Sequence, residues 1–135
     1  YTVESQDEYV FSGSKDTEIH KIEPTDMTQI GIYTQFSQVV NCMVAGYGYL
    51  YAADFNGVIH SIDPSDLSQT NSYGDGSFDH DLPSILSLVF GESRHLYAAT
   101  SQHVIKFHPF ELSYISSFEH SDVGGSGYDE ICICI

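Results

Sequence analysis

The chain contains no tryptophan and only four Lys and Arg residues against nineteen Asp and Glu, for a formal net charge of −15. Phosphate backbones are bound by Lys and Arg that displace counterions, so the shortage of cations excludes nucleic acid as a partner. It disfavours anionic membrane surfaces for the same reason. A basic protein or a bound cation is the company such a surface accepts. Cysteine is scarce too. Cys42, Cys132 and Cys134 are an odd set with no small disulfide framework around them. Cys132 and Cys134 fall on one face of a strand, where they are poorly placed to bridge each other, and no second close pair or His-x-His cluster completes a zinc site. All three read as small apolar fillers. No apolar run approaches the ~20 residues that span a bilayer, and no charged, apolar and small-residue series marks a signal peptide. The chain starts at Tyr1 rather than Met, which reads as a processed or excised product. The compartment is left open, with the cytoplasm favoured.

What is present is enough for a core. Hydrophobic residues make up 41% and aromatics 13% of 135 residues, including ten Tyr and eight Phe. That composition buries apolar surface well enough to offset ordering entropy, and the length fits one domain or one piece of a larger one.

The main signal is an internal repeat. Phe11, Tyr51 and Tyr97 anchor three units, 40 and 46 residues apart, and the middle unit reads LYAADFNGVIHSIDPSDLSQTNSY over residues 50–73. Ile19, Ile59 and Val104 correspond, as do Ile22, Ile62 and Phe107. Pro24, Pro64 and Pro109 coincide, followed three residues later by Met27, Leu67 and Leu112, and each unit closes on an aromatic, Tyr33, Tyr73 or Phe118. A further apolar block, FSQVVNCMV (36–44), LPSILSLVF (82–90) and YDEICICI (128–135), aligns Val40 with Leu86 and Cys132, and Cys42 with Leu88 and Cys134.

Each unit thus holds four strand candidates. Asn56-Gly57 predicts a primed hairpin turn with both residues at positive φ. The prolines end the third strand because they have no N–H for the ladder. No capped 3.6-residue apolar period is long enough for a substantial helix. Four short antiparallel strands per unit, with two faces that only stacking can bury, predict an all-β fold of β-propeller blades. The units are placed at about 1–35, 36–77 and 82–120, in a single partial propeller over 1–135 with a spare first strand at 128–135.

The unit centred on residues 50–69 resembles the repeats of the quinoprotein-like and YVTN-type propeller superfamily, and more loosely WD repeats. The resemblance implies a strand–turn–strand blade centre with Asn-Gly at the turn and an Asp-Pro corner. It carries no cofactor with it. Without tryptophan, the Trp-Asp ending of WD repeats and the tryptophan docking of pyrroloquinoline-quinone repeats are both missing. The Gly-Gly pair of kelch blades is absent from the repeated positions, Gly124-Gly125 lying in a loop. Three blades are fewer than the four or more of a typical ring. The first unit is read as lacking a complete first strand, so either the chain is an excerpt or copies self-assemble, each Ile131–Ile135 strand completing the next copy's first blade.

No residue pattern writes out a reaction. There is no Ser-His-Asp grouping, nucleophile elbow or phosphate-binding glycine loop, so no catalytic residue, cofactor or metal is assigned. Asp75, Asp79 and Asp81, with His80 among them, are the one carboxylate-rich loop that calcium's preference for hard oxygen ligands brings into view, but their spacing is not that of an EF-hand. His20 and His60 share one repeated position and read as hydrogen-bonded structural histidines. The expectation is a non-enzymatic propeller scaffold for protein–protein contacts, its partner basic. A carbohydrate-binding propeller and a quinoprotein-like enzyme fragment are the alternatives.

Overall fold

The structure, a computed structural model, describes residues 2–6, 8–74, 84–91 and 93–119. Strands β1 (Thr2–Gln6), β2 (Tyr9–Gly13), β3 (Ile19–Glu23) and β4 (Thr28–Tyr33) form the first sheet. β5 (Val40–Gly46), β6 (Tyr49–Asp54), β7 (Ile59–Ile62) and β8 (Gln69–Tyr73) form the second. β9 (Ser87–Phe90), β10 (Leu96–Ala99), β11 (His103–His108) and β12 (Ser113–Glu119) form the third. Every sheet is an antiparallel meander in chain order, and together they are three propeller blades. The first strands lie innermost, β1 against β5 and β5 against β9. The fourth strands lie outside, and every residue of β12 is exposed.

Alternation decides which residues meet between blades. Phe11, Ile19 and Tyr33 of blade 1 face Val40, Met43, Leu50, Ala52 and Ile62 of blade 2, forming one apolar layer. Tyr51, Ala53 and Ile59 on the other face of blade 2 meet Leu88, Leu96, Ala98, Ile105 and Phe107 of blade 3. Blade 2 is therefore buried on both faces, and all four residues of β7 are buried. Each large side chain so covered contributes about 1.5–3 kcal/mol. Burial pushes the Tyr51 hydroxyl up to about 12.

The proline corners lock one blade onto the previous one. Met27, Leu67 and Leu112 all adopt left-handed backbone, with φ of 59°, 60° and 47°. Leu67 lies over Gly31 of blade 1, where a Cβ would stand 2.8 Å from its Cδ1. Leu112 is buried in the layer between blades 2 and 3. The corner main chain is held as well: Lys21 Nζ donates to Ser65 O at 3.0 Å, and Asn71 Nδ2 donates to Phe110 O at 3.0 Å. Met27 has no preceding blade beneath it among the described residues, and it is 70% exposed.

Three expectations are corrected. The turn at Asn56-Gly57 is not primed: Gly57 alone has positive φ, at 81°. Asp54 organises it, its Oδ1 accepting the N–H groups of Asn56 (2.9 Å) and Val58 (3.0 Å). Thr17, at φ 68°, takes the glycine's place in blade 1. Second, blade 1 has its own first strand, since all five residues of β1 pair with β2. No strand from Ile131–Ile135 is needed to complete it. Third, a bulge at Asn41 shifts β5, so Met43 stands opposite Ala52 as Leu88 stands opposite Ala98, and Cys42 opposite Ala53. Asn41 uses the extra position to donate to Ser84 Oγ and Ile85 O of blade 3. Leu86, aligned with the fully buried Val40, is correspondingly 43% exposed. Cys42 is the core filler expected, its thiol pushed up to about 12 by burial. Cys132, Cys134 and the whole of 128–135 lie outside the described residues.

Truncating the corner side chain is costly where the preceding blade covers it and harmless where it is exposed. Leu112→Ala should cost about 2–5 kcal/mol in urea unfolding, through lost burial and a cavity. Met27→Gly should be neutral or stabilising by up to about 1 kcal/mol, because it relieves left-handed strain and removes no packing.

Candidate functional site

The two equivalent histidines end in different surroundings, for reasons the repeat makes explicit. His60 sits on the face of blade 2 that meets blade 1, and it is buried. The closing aromatic of blade 1 reaches across to it. The Tyr33 hydroxyl donates to Gln69 Oε1 (2.9 Å), so its oxygen accepts from His60 Nδ1–H (2.7 Å) and Nε2 is left unprotonated. Phe36 stacks on the imidazole with centroids 4.3 Å apart and planes 20° apart. Tyr33 meets both rings edge-on. Burial lowers the His60 pKa to about 4 and pushes the Tyr33 hydroxyl above its usual range.

His60 also lines a cavity of about 220 Å³ at the inter-blade seam, together with Phe36, Ser37, Asp54 and Ser72. Asp54 is 1% exposed, and its Oδ2 finds no hydrogen-bond donor among the described residues. Burial raises its pKa against the two backbone N–H groups on Oδ1, which lower it. The cavity therefore joins an apolar ring, a neutral imidazole and a shielded carboxyl group. Two serine hydroxyls, of Ser37 and Ser72, complete its polar lining.

His20 occupies the same position in blade 1, where no blade covers it among the described residues. Its Nδ1 lies 2.7 Å from Gln29 Oε1, and its Nε2 lies 3.3 Å from Asp16 and 3.6 Å from Glu18. Nδ1 donates to the amide oxygen, which turns Nε2 towards two carboxylates, and these favour the protonated ring. The Gln29 hydrogen bond and the acids together raise the His20 pKa. Asp16, Glu18 and His20 place one ligand atom each within 4.8 Å of one another, the single such group among the described residues. Three ligands of this kind would suit a divalent cation.

Both His20 and His60 are hydrogen-bonded, as the sequence suggests. Asp75, Asp79, Asp81 and His80 lie outside the described residues. Sequence reasoning missed Asp54, Phe36 and the Gln partners. A signal was available: His and Gln occur together in units one and two (His20 with Gln29, His60 with Gln69) and are lost together in the third, where Ile105 and Tyr114 stand.

The two histidines give stability opposite pH slopes. For His60 the unfolded chain binds the proton more tightly, at about 6.5 against about 4 folded, so stability falls as pH drops through that window, by up to about 3 kcal/mol. His20 is raised, so its contribution is complete below about 6.5 and is lost as pH rises above that. Asp54, raised from 3.8, opposes the His60 slope at the acid end. Urea unfolding followed from pH 7 to 4 should show stability falling in the wild type. His60→Ile, which installs the third unit's residue, should flatten that slope.

No protein-family model matches this sequence, and no curated protein matches it. Among solved structures the fold is widely shared. The computationally designed Ika4 protein superposes with a TM-score of 0.73 at 10% identity, over 88% of this chain and 72% of that one. A chain of the mitotic checkpoint complex gives 0.74 at 11% identity, over 87% of this chain and 37% of that one. The computationally designed Ika8 protein gives 0.72 at 9% identity, over 87% and 35%. The chain thus spans little more than a third of two of these three neighbours. At such identities the likeness is one of fold: this chain is built as three stacked blades of a β-propeller.

Proposed function

We propose that the chain is a non-enzymatic propeller module that scaffolds protein–protein contacts and recognises a basic partner along its proline corners. The observation that carries this is a repeated acidic edge. Glu23 and Asp26 stand at the first corner, Asp63 and Asp66 at the second, and Glu111 at the third. Their local hydrogen bonds turn with the backbone. Asp26 Oδ1 accepts from Thr28 N–H and Oγ1–H, and Asp66 Oδ1 accepts from Ser68 N–H. Those contacts with Thr28 and Ser68 hold both acids below the usual carboxylate range, so they are ionised at neutral pH. Lys21, which lies near Asp66, is already engaged with Ser65 O and the Tyr9 ring. An edge of this kind steers cationic partners and leaves anionic ones unbound.

The likeness of residues 50–69 to quinoprotein-like and YVTN repeats fits this reading as a likeness of blades, without a quinone. The mitotic checkpoint complex chain is part of a multiprotein assembly by its own description, which agrees with a scaffold role here.

Binding to a nine-residue arginine peptide, measured by fluorescence anisotropy, should weaken at least tenfold between 50 and 200 mM salt. It should weaken again in the Asp26→Asn, Asp66→Asn, Glu111→Gln triple variant, while a nine-residue glutamate peptide stays unbound. Salt-independent binding, or binding unchanged in the triple variant, would remove the corner edge from the account.

A further inference from the structure

The cavity between blades 1 and 2 holds a carboxylate oxygen that the fold does not need. Ser14, Asp54 and Thr100 stand at one repeated position, where each blade turns from its second strand to its third. All three do the same work there. Ser14 Oγ accepts the N–H of Asp16 (3.3 Å), Asp54 Oδ1 accepts those of Asn56 (2.9 Å) and Val58 (3.0 Å), and Thr100 Oγ1 accepts those of Gln102 (3.2 Å) and His103 (2.9 Å). A hydroxyl therefore suffices to build this turn. Blade 2 uses a carboxylate instead, and its second oxygen, Oδ2, is buried without a donor in a residue only 1% exposed. A charged oxygen in that state costs stability, and nothing in the turn offsets the cost.

The cavity is where that oxygen finds a use. Asp54 and His60 line the same space of about 220 Å³, several times the roughly 30 Å³ share of one water. Because Tyr33 and Gln69 fix His60 Nδ1 as the donor, Nε2 is a second acceptor, and it makes no hydrogen bond among the described residues. The Ser37 and Ser72 hydroxyls and the flat ring of Phe36 complete the wall, which contains no Lys or Arg. A metal ion fits poorly, since one carboxylate and one imidazole are the only strong ligands among the described lining residues.

We infer that this cavity binds a guanidinium group, carried by a small molecule or by the end of an arginine side chain, with one N–H on Asp54 Oδ2 and another on His60 Nε2. A guanidinium supplies the missing positive charge, spreads its donors over a rigid fork that reaches separated acceptors, and is weakly enough hydrated to lie against an aromatic ring. The site is at the strand ends away from the proline corners: the corner joins Ile62 to Gln69, whereas Asp54 opens the turn at the other end of β7. It does not rest on the corner-edge reading.

The test is a titration of the chain with methylguanidinium and with N-acetylarginine amide, read from backbone amide NMR shifts at about 150 mM salt, where exposed charges are screened. Saturable shifts at Ser37, Val58 and His60 are expected with both probes. Tighter binding of the arginine amide would mark a protein side chain as the ligand, and equal binding a free guanidinium compound. N-acetylcitrulline amide, which keeps the shape and loses the charge, should not bind. Asp54→Thr, which installs blade 3's residue at this position, should weaken binding about tenfold or more, while its urea midpoint stays level or rises. No saturable binding, shifts confined to the corners at Asp26 and Asp66, citrulline binding as tight as arginine's, or unchanged affinity in Asp54→Thr would each overturn the inference. A fall in the Asp54→Thr midpoint would overturn it too, since Oδ2 would then serve the fold.

Discussion

Everything in this molecule depends on one blade lying face to face on the next. A four-stranded sheet with apolar residues on both sides has no stable existence in water alone, because neither face can be hidden by folding the sheet on itself. Among the described residues blade 2 is the one covered on both faces, and Leu50, Tyr51, Ala52, Ala53, Ile59 and Ile62 are all at 0% exposure. Stacking also explains features that look anomalous in isolation. Left-handed backbone is costly for a residue with a side chain, yet all three corners adopt it, and at Leu67 and Leu112 that geometry lays the side chain on the preceding blade. Gly31 and Gly46 are small because Leu67 and Phe90 of the following blades occupy the space their side chains would need.

The repeat makes most of this fold legible in the sequence. Strand positions, proline corners and closing aromatics follow from period-two alternation and from residues, such as Pro24, Pro64 and Pro109, that act locally. What stayed hidden involves either side-chain control of a turn or contacts between units. Asn56-Gly57 carries the dipeptide of a primed turn, but the Asp54 carboxylate accepts two backbone N–H groups and selects a different one. The Asn41 bulge changes which residue faces the core without changing the composition of the strand. The first strand of blade 1, TVESQ, has little apolar alternation to mark it as a strand, since its side chains are only half-buried or exposed.

The candidate site was less legible than the fold because its parts come from two blades. Tyr33 and Phe36 close one blade and line the next, 27 and 24 residues from His60 in sequence. Position within a unit cannot reveal a neighbour contributed by another unit. Only the joint presence of His and Gln in two units, and their joint loss in the third, pointed towards the network. The same logic separates the histidines chemically. A covering blade desolvates His60 and keeps it neutral, while His20, uncovered among the described residues, stands beside Asp16 and Glu18, where a positive charge is welcome.

The central claim is that successive sheets stack in a fixed register, each corner resting on the blade before it. Nuclear Overhauser effects from the Leu67 δ-methyl protons test it most directly. Cross-peaks to the Gly31 α-protons, together with cross-peaks between the Tyr73 and Phe107 rings, are the result this architecture requires. Leu67 methyls that see protons of blade 2 alone would contradict it.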